Sequence, residues 1–242
     1  MDSSKNKMRV EIWSDVVCPF CYIGKRKFEA ALSEFKESSN VEITWKSFQL
    51  SPDTRTAPEK NIHQYLAEHK GISLEHAKSL NNQVTNLAKQ VGLVFNFDQA
   101  IPVNTFNAHR FLHLAKQHGF QEEAEEKLFK AYFTDGKNTD DHQTLMQIGS
   151  EIGLNPDEVK QVLESDQYAG EVRQDVVEAH QLGVRGVPFF LFDRKYAVSG
   201  AQDSKVFLES LEKAFAAWRK ENPKSTIEIT EGDYCSPDGA CN

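Results

Sequence analysis

Val10-Glu11-Ile12-Trp13-Ser14-Asp15-Val16-Val17-Cys18-Pro19-Phe20-Cys21 is the stretch on which the fold turns. Val10, Ile12 and Trp13 make a short strand candidate, and beyond Ser14-Asp15-Val16-Val17 the apolar residues Phe28, Ala31, Leu32 and Phe35 recur at the spacing of one buried helix face. The two cysteines therefore fall where a strand ends and a helix begins. Unpaired amides and the dipole at a helix N-terminus favour a thiolate, so Cys18 is expected to be acidified. Pro19 suits the first helical turn, where its missing N–H costs no hydrogen bond, and the spacing brings Cys21 back beneath Cys18 for a small-ring disulfide. The expected roles are Cys18 as the exposed attacking sulfur and Cys21 as the resolving one. Two other readings stay open on these residues alone. The pair could fill core volume, as buried cysteines often do, or form a zinc site with the remaining two cysteines, Cys235 and Cys241.

Downstream, Val41 to Lys46 alternates apolar and polar at period two, and a loop containing Pro52 and Pro58 follows, so the opening unit reads β-α-β. From 59 to 182 the periodicity is helical, with Leu80, Val84, Leu87 and Val91 on one face and Leu145, Ile148 and Ile152 on another. Asn155-Pro156-Asp157-Glu158 carries a cap, a first-turn proline and two acids, the signs of a helix start. Gly183-Val184-Arg185-Gly186-Val187-Pro188 then leads into a strand at Phe189 to Phe192, a turn at Asp193-Arg194-Lys195, a strand through Val198 and a helix from Ser204. Neither the β-α-β nor the β-β-α fragment could cover its own apolar face, so the two must pair across the insert. The expected organisation is one α/β domain from 9–58 and 183–221, an inserted helical domain at 59–182, and a tail at 222–242 holding Cys235 and Cys241.

The 242 residues are 39% hydrophobic and 26% charged, the balance of an ordinary globular protein. Twenty-eight basic against 36 acidic side chains leave a formal charge of -8, which repels phosphate backbones and anionic lipid, so no nucleic-acid or membrane partner is expected. Apolar runs such as Val187 to Phe192 are far short of the ~20 residues of a membrane span, and no apolar stretch of leader length directly follows the polar Met1 to Met8. A cytoplasmic location is expected. Eight histidines are scattered without metal-ligand spacing, so no metal site is assigned to them.

Three motifs together resemble the DsbA-like oxidoreductases of thioredoxin fold, and within them the group usually called FrnE-like. They are Trp13-Ser14-Asp15-Val16-Val17-Cys18-Pro19-Phe20-Cys21-Tyr22-Ile23-Gly24, then Asn104-Thr105 with Ala108-His109-Arg110, and Gly183-Val184-Arg185-Gly186-Val187-Pro188-Phe189-Phe190. The resemblance implies a thioredoxin-like fold with a large inserted helical domain, and thiol-disulfide exchange as the activity. It also implies that Pro188 is cis and faces the cysteines, with the Val187 backbone free to pair with an extended polypeptide. Cys18 and Cys21 are then the catalytic pair, and Val187, Pro188, Pro19 and Phe20 the substrate-binding residues. Oxidised or misfolded polypeptides are the expected partners, with a thiol as electron donor, glutathione being the candidate. No organic cofactor is expected.

One departure from the relatives concerns Phe20, which stands where DsbA proteins commonly have His. It supplies neither a hydrogen bond nor a charge to Cys18, so a potential intermediate between the about −120 mV of DsbA and the about −270 mV of thioredoxin is expected. Cys235-Ser236-Pro237-Asp238-Gly239-Ala240-Cys241 has a turn-forming centre that would let its thiols close a small loop, and the extra C-terminal pair of some FrnE-like relatives implies an accessory redox pair that exchanges with Cys18 and Cys21. Asp15 has two readings, a proton acceptor in exchange or a turn-capping residue, and the second is favoured. Asn104, Thr105, His109 and Arg110 are expected to shape the helical part. Two alternative functions share these features. One is a glutathione-dependent isomerase of the 2-hydroxychromene-2-carboxylate type, which characteristically has Ser where Cys18 stands. The other is a zinc-binding or redox-sensing adaptor.

Overall fold

The computed structural model describes residues 7–223. Strand β1 (Met8–Ser14) runs into helix α1 (Pro19–Glu34), and after a 3-10 turn the chain returns in β2 (Val41–Ser47). β2 lies parallel to β1, with Met8 opposite Val41 and Ser14 opposite Ser47. Seven helices follow: α2 (Ile62–Lys70), α3 (Leu74–Gln90), α4 (Phe106–Gln117), α5 (Gln121–Phe133), α6 (His142–Glu151), α7 (Pro156–Leu163) and α8 (Ala169–Gln181). The chain then closes with β3 (Phe189–Phe192), β4 (Tyr196–Ser199) and α9 (Ser204–Glu221).

The sheet order is β2-β1-β3-β4. β3 pairs antiparallel with β1, placing Val10 opposite Phe192 and Trp13 opposite Phe189, so strands almost 180 positions apart share one hydrogen-bonded ladder. The β3-β4 connection uses positive φ at Asp193 and Arg194, the twist that a tight antiparallel hairpin requires. β1 is central and apolar, and its side chains divide by parity. Val10 and Ile12 face α1 and α9 in a core with Phe28, Phe190, Phe192, Phe207 and Leu211. Trp13 faces the other way and packs with Phe48, Ala179, Val184 and Leu191 beneath α8.

Polar bonds fix α8 on that second face. The Asp175 carboxylate accepts from the Ser47 amide at 2.9 Å and pairs with His113 and Lys46, and its backbone carbonyl accepts from the Trp13 indole at 3.0 Å. Arg110 serves the helical part similarly, donating to the backbone carbonyls of Val162, Ser165 and Gln167 at and just beyond the end of α7. Around Phe111, Leu114, Leu128, Leu145, Ile148 and Val159, helices α4 to α7 bury a core of their own. Among the described residues no helix is long and apolar enough to cross a membrane.

Candidate active site

Cys18 occupies the N-cap position of α1 with extended backbone angles and Pro19 opens the helix; the Cys18 sulfur makes no cap bond, and the Cys21 amide donates to the Cys18 carbonyl at 3.0 Å. The turn that delivers it is closed by the Cys18 amide donating to the Asp15 carbonyl at 2.9 Å. The Cys18 thiol donates to the Val187 carbonyl at 3.6 Å, so the segment before β3 meets the start of α1. The Val187-Pro188 peptide is cis. Gly24, one turn into α1, allows this approach: a Cβ there would come within 3.0 Å of Pro188 Cγ. Cys18 and Cys21 are both free thiols.

Cys18 is more enclosed than an exposed nucleophile, at 4% of its surface, and Cys21 is fully buried. The reason is tertiary. Cys18, Cys21, Tyr22 and Ile23 form one apolar cluster with Phe95, Phe97, Phe129, Tyr132 and Phe133, all from the helical part between β2 and β3. Tyr22 stacks on Phe129 with ring centroids 4.8 Å apart. Burial pushes the Cys21 thiol well above its ordinary pKa, and the facing Cys18 sulfur adds to the rise; the Asp15 backbone and the Ser14 hydroxyl, both facing Cys21, oppose it.

Asp15 is 1% exposed and committed to three bonds. Its carboxylate accepts from the Leu50 amide at 2.8 Å and faces His109 Nε2 at 3.3 Å, while its carbonyl takes the Cys18 amide. These bonds tie the loops after β1 and β2 to α4. His109 loses pKa to its own burial, but Asp15 and Glu125 more than offset this and the net shift is upward. Asn104, just before α4, accepts from the Phe106 amide at 2.9 Å and donates to the carbonyls of Pro52 and Thr54; Thr105 holds the N-cap position without a side-chain cap bond.

A mostly apolar cavity of about 350 Å³ opens beside Pro19 and Val17, bounded by Leu50, Ile62, Tyr65 and Tyr132. Phe20 and Leu50 are 42% and 47% exposed at this end of the molecule, an apolar surface of the kind that contacts a ligand or partner. Pro19, Phe20, Val187 and Pro188 are thus brought to one end of the sheet with the two cysteines. Cys235 and Cys241 lie outside the described residues. Among the described residues no three His, Cys, Asp or Glu side chains are grouped to hold a metal ion.

Sequence reasoning passed over Ser14, Gly24 and Glu125. Glu125 on α5 is 1% exposed and accepts from the Ser14 hydroxyl at 2.9 Å. Burial pushes its carboxyl up to about 7, against the opposing pull of His109 and Ser14. A signal existed in the sequence. Within Gln121-Glu122-Glu123-Ala124-Glu125-Glu126, which resembles a solvated run, Glu125 shares the helix face of Leu128, Phe129 and Tyr132.

With this geometry established, comparison with known proteins is direct. Residues 9–212 match the model of the DSBA-like thioredoxin domain, and the chain belongs to that family. It is 37% identical to a Streptomyces coelicolor protein described as a probable DsbA oxidoreductase, with TM-score 0.80 over 97% of this chain and 98% of that one. It is 28% identical over 212 residues to the uncharacterised protein YwbO of Bacillus subtilis, covering 84% of this chain and 96% of the relative. A 2-hydroxychromene-2-carboxylate isomerase shares the fold at 16% identity and TM-score 0.62, over 91% of this chain and all of that one. The fold is therefore DsbA-like, a thioredoxin-type α/β sheet with a helical insertion.

Proposed function

We propose that this protein is a protein thiol-disulfide oxidoreductase working as a reductase or isomerase through Cys18 and Cys21. The observation that carries the reading is the Cys18 sulfur at the first turn of α1, one turn from Cys21 and 3.6 Å from the Val187 carbonyl. Cys18, as thiolate, attacks one sulfur of a substrate disulfide. A Cys18–substrate S–S bond forms, the substrate's own S–S bond breaks, and the departing sulfur takes up a proton. Cys21 then gives up its proton and attacks Cys18. The Cys18–Cys21 bond forms, the mixed disulfide breaks, and two electrons have passed from the dithiol to the substrate. A small thiol donor, glutathione in this reading, returns them, and no organic cofactor or metal takes part.

Oxidised or misfolded polypeptides are the proposed substrates. An extended segment pairs with the Val187 backbone beside Pro188 and rests on Pro19, Phe20 and Leu50, so recognition depends little on sequence. Asp15 acts as the anchor of the Cys18 turn, since its oxygens are engaged by Leu50, His109 and Cys18. The proposed division into domains follows the sheet and the insert, at 9–58 with 183–221 and at 59–182. A cytoplasmic setting suits a dithiol of intermediate potential, because the glutathione poise of about −220 to −320 mV keeps it reduced.

The apolar cavity beside Pro19 has the size of a small-molecule site and favours one second reading, a glutathione-dependent isomerase. Insulin reduction with glutathione as donor separates the two. The wild type is expected to reduce insulin, Cys18→Ser to be inactive and Cys21→Ser to accumulate a covalent adduct with substrate. A Cys18→Ser protein of undiminished insulin reductase activity would refute the oxidoreductase reading.

A further inference from the structure

The cavity beside Pro19 takes no part in the sulfur chemistry, yet it lies at the reacting end of α1. Val17, Pro19, Ile62, Leu66, Phe97 and Tyr132 give it an apolar wall around about 350 Å³. That is the low end of the range of about 300–1,000 Å³ for ligand sites, room for one ring system rather than a long ligand. Leu50 belongs both to this lining and to the exposed apolar surface that Phe20 continues. An apolar track therefore leads from the surface proposed to hold a substrate segment into the cavity.

Most polar groups of the lining are already engaged. The Tyr132 hydroxyl donates to the Ile101 carbonyl at 3.0 Å, the Tyr65 hydroxyl pairs with Thr54 at 2.6 Å, and the Asp15 carboxylate takes the Leu50 amide and faces His109. Asn81 on α3 is different. It lines the cavity at 8% exposure, and its amide nitrogen donates to His63 Nδ1 at 2.8 Å. His63 Nε2 faces Asp98 Oδ1 at 3.1 Å, which places the ring proton there and leaves Nδ1 to accept. The Asn81 carbonyl oxygen is then turned away from His63. Among the described residues nothing donates to it, and it is not sealed in as the orphan atoms Glu11 Oε2 and Thr139 Oγ1 are. An acceptor held in a fixed direction and left open in an apolar cavity is a place for a ligand's donor.

We propose that the cavity receives the side chain of a tyrosine or tryptophan next to the attacked cysteine of a polypeptide substrate. The inference rests on the thiol-exchange reading above and adds a sequence preference that backbone pairing at Val187 lacks. Consecutive Cα atoms are 3.8 Å apart. A residue adjoining the cysteine held at Cys18 therefore stands by Val17 and Pro19, which flank Cys18 in the chain and line the cavity. Its ring packs against Ile62, Leu66 and Phe97, and its O–H or indole N–H donates to Asn81 Oδ1. A buried Tyr or Trp needs such a partner.

Other occupants fit less well. Phenylalanine meets the same wall but leaves the Asn81 oxygen dehydrated and unpaired, a cost that the donor of Tyr or Trp avoids. The cations of the lining, His69 and Lys70, are exposed, and the buried Asp15 carboxylate is engaged, so the enclosed part suits a neutral group rather than an ion. Asn81 and Leu66 are specificity residues in this account: they touch the substrate away from its sulfur and leave the exchange steps as they are.

Disulfide-linked dimers of the blocked peptides Gly-X-Cys-Gly and Gly-Cys-X-Gly test this, with X as Tyr, Trp, Phe or Gly. Fully reduced protein in excess reduces each dimer in a single turnover, and chromatography follows the released peptide thiols. Each rate is divided by that with dithiothreitol, which removes differences in the disulfides themselves. In at least one placement of X, Tyr and Trp dimers should react about tenfold faster than Gly dimers, from the ring buried, and about threefold faster than Phe dimers, from one hydrogen bond. Leu66→Trp fills the cavity from α2 and should bring the Tyr-to-Gly ratio close to one. Asn81→Ala should erase the preference for Tyr over Phe and keep that for a ring over Gly. The wild-type comparison stands without either variant, so a misfolded one does not remove the test. Equal wild-type rates for all four residues in both placements would overturn the proposal while leaving thiol exchange intact. Inhibition by free N-acetyltyrosinamide alongside equal rates would overturn it too, by marking a small-molecule site. A wild type that reduces none of the dimers would overturn the thiol-exchange reading as well.

Discussion

Replacing Glu125 by Gln should make the protein more stable in alkaline solution than the wild type, and this expectation rests on burial alone, whatever the site does. Burial raises the Glu125 carboxyl from its ordinary 4.5 to about 7. The folded chain thus favours the protonated form, and the stabilisation is fully present below about pH 4.5, then lost as pH rises through about 7. At about 1.4 kcal/mol for each tenfold change in proton affinity, the full span is about 3 kcal/mol. Between about pH 5 and 8 the wild type should lose about 2.5 kcal/mol of it, while the neutral Gln side chain, which can still accept the Ser14 hydroxyl, loses none. For a chain of this size 1 kcal/mol moves the melting temperature by about 2–4 °C, so the advantage of the variant should widen by about 5–10 °C over that interval. His109 also titrates with a raised pKa, part of which comes from Glu125, so its own loss of stability with rising pH is smaller in the variant and widens the gap in the same direction. Thermal melts of both proteins at the two pH values check the claim. Melting curves separated by the same margin at each pH would show that the buried carboxyl is not held protonated, and the account of Glu125 would fail.

Two further outcomes follow from the contacts around the dithiol. Gly24→Ala puts a Cβ 3.0 Å from Pro188 Cγ and 3.5 Å from Ala201 Cβ, so the Pro188 ring must give by a few tenths of an ångström; we expect a loss of about 1–3 kcal/mol in denaturant melts together with slower thiol exchange. Phe20→His supplies a donor and a positive charge next to Cys18, which should stabilise the thiolate and raise the reduction potential by about 30–60 mV, equivalent to about 1.4–2.8 kcal/mol; equilibration against glutathione buffers measures it, and an unchanged potential would remove Phe20 from the argument.

The strand-to-helix step at Cys18 was legible in the sequence because its signals are local. Alternation through Val10 and Ile12, a proline at the first helical position and apolar residues at Phe28 and Ala31 all act within one turn or one pleat of each other. Pairing of the two sheet fragments across the insert was also legible, since a half-covered sheet has no stable alternative, and β1 does pair with β3. The enclosure of Cys18 was not. It arises from Phe95, Phe97, Phe129 and Phe133, whose periodicity marks them as core residues without saying which core they join. Glu125 was hidden for a related reason, because its neighbours in the chain are charged and only the helix face it shares shows it to be buried.

Local chain chemistry therefore determined that a thiol stands at a helix start, that four strands must share a sheet, and that the long middle segment is helical. Tertiary structure decided what surrounds that thiol: the Val187 carbonyl 3.6 Å from its sulfur, the aromatic wall around Cys21, and the Ser14–Glu125 bond beneath it. The division has a physical cause. Hydrophobic periodicity and helix capping are short-range and repeat along the chain, whereas proton affinity depends on which groups from distant segments exclude water and face one another, and packing alone fixes that.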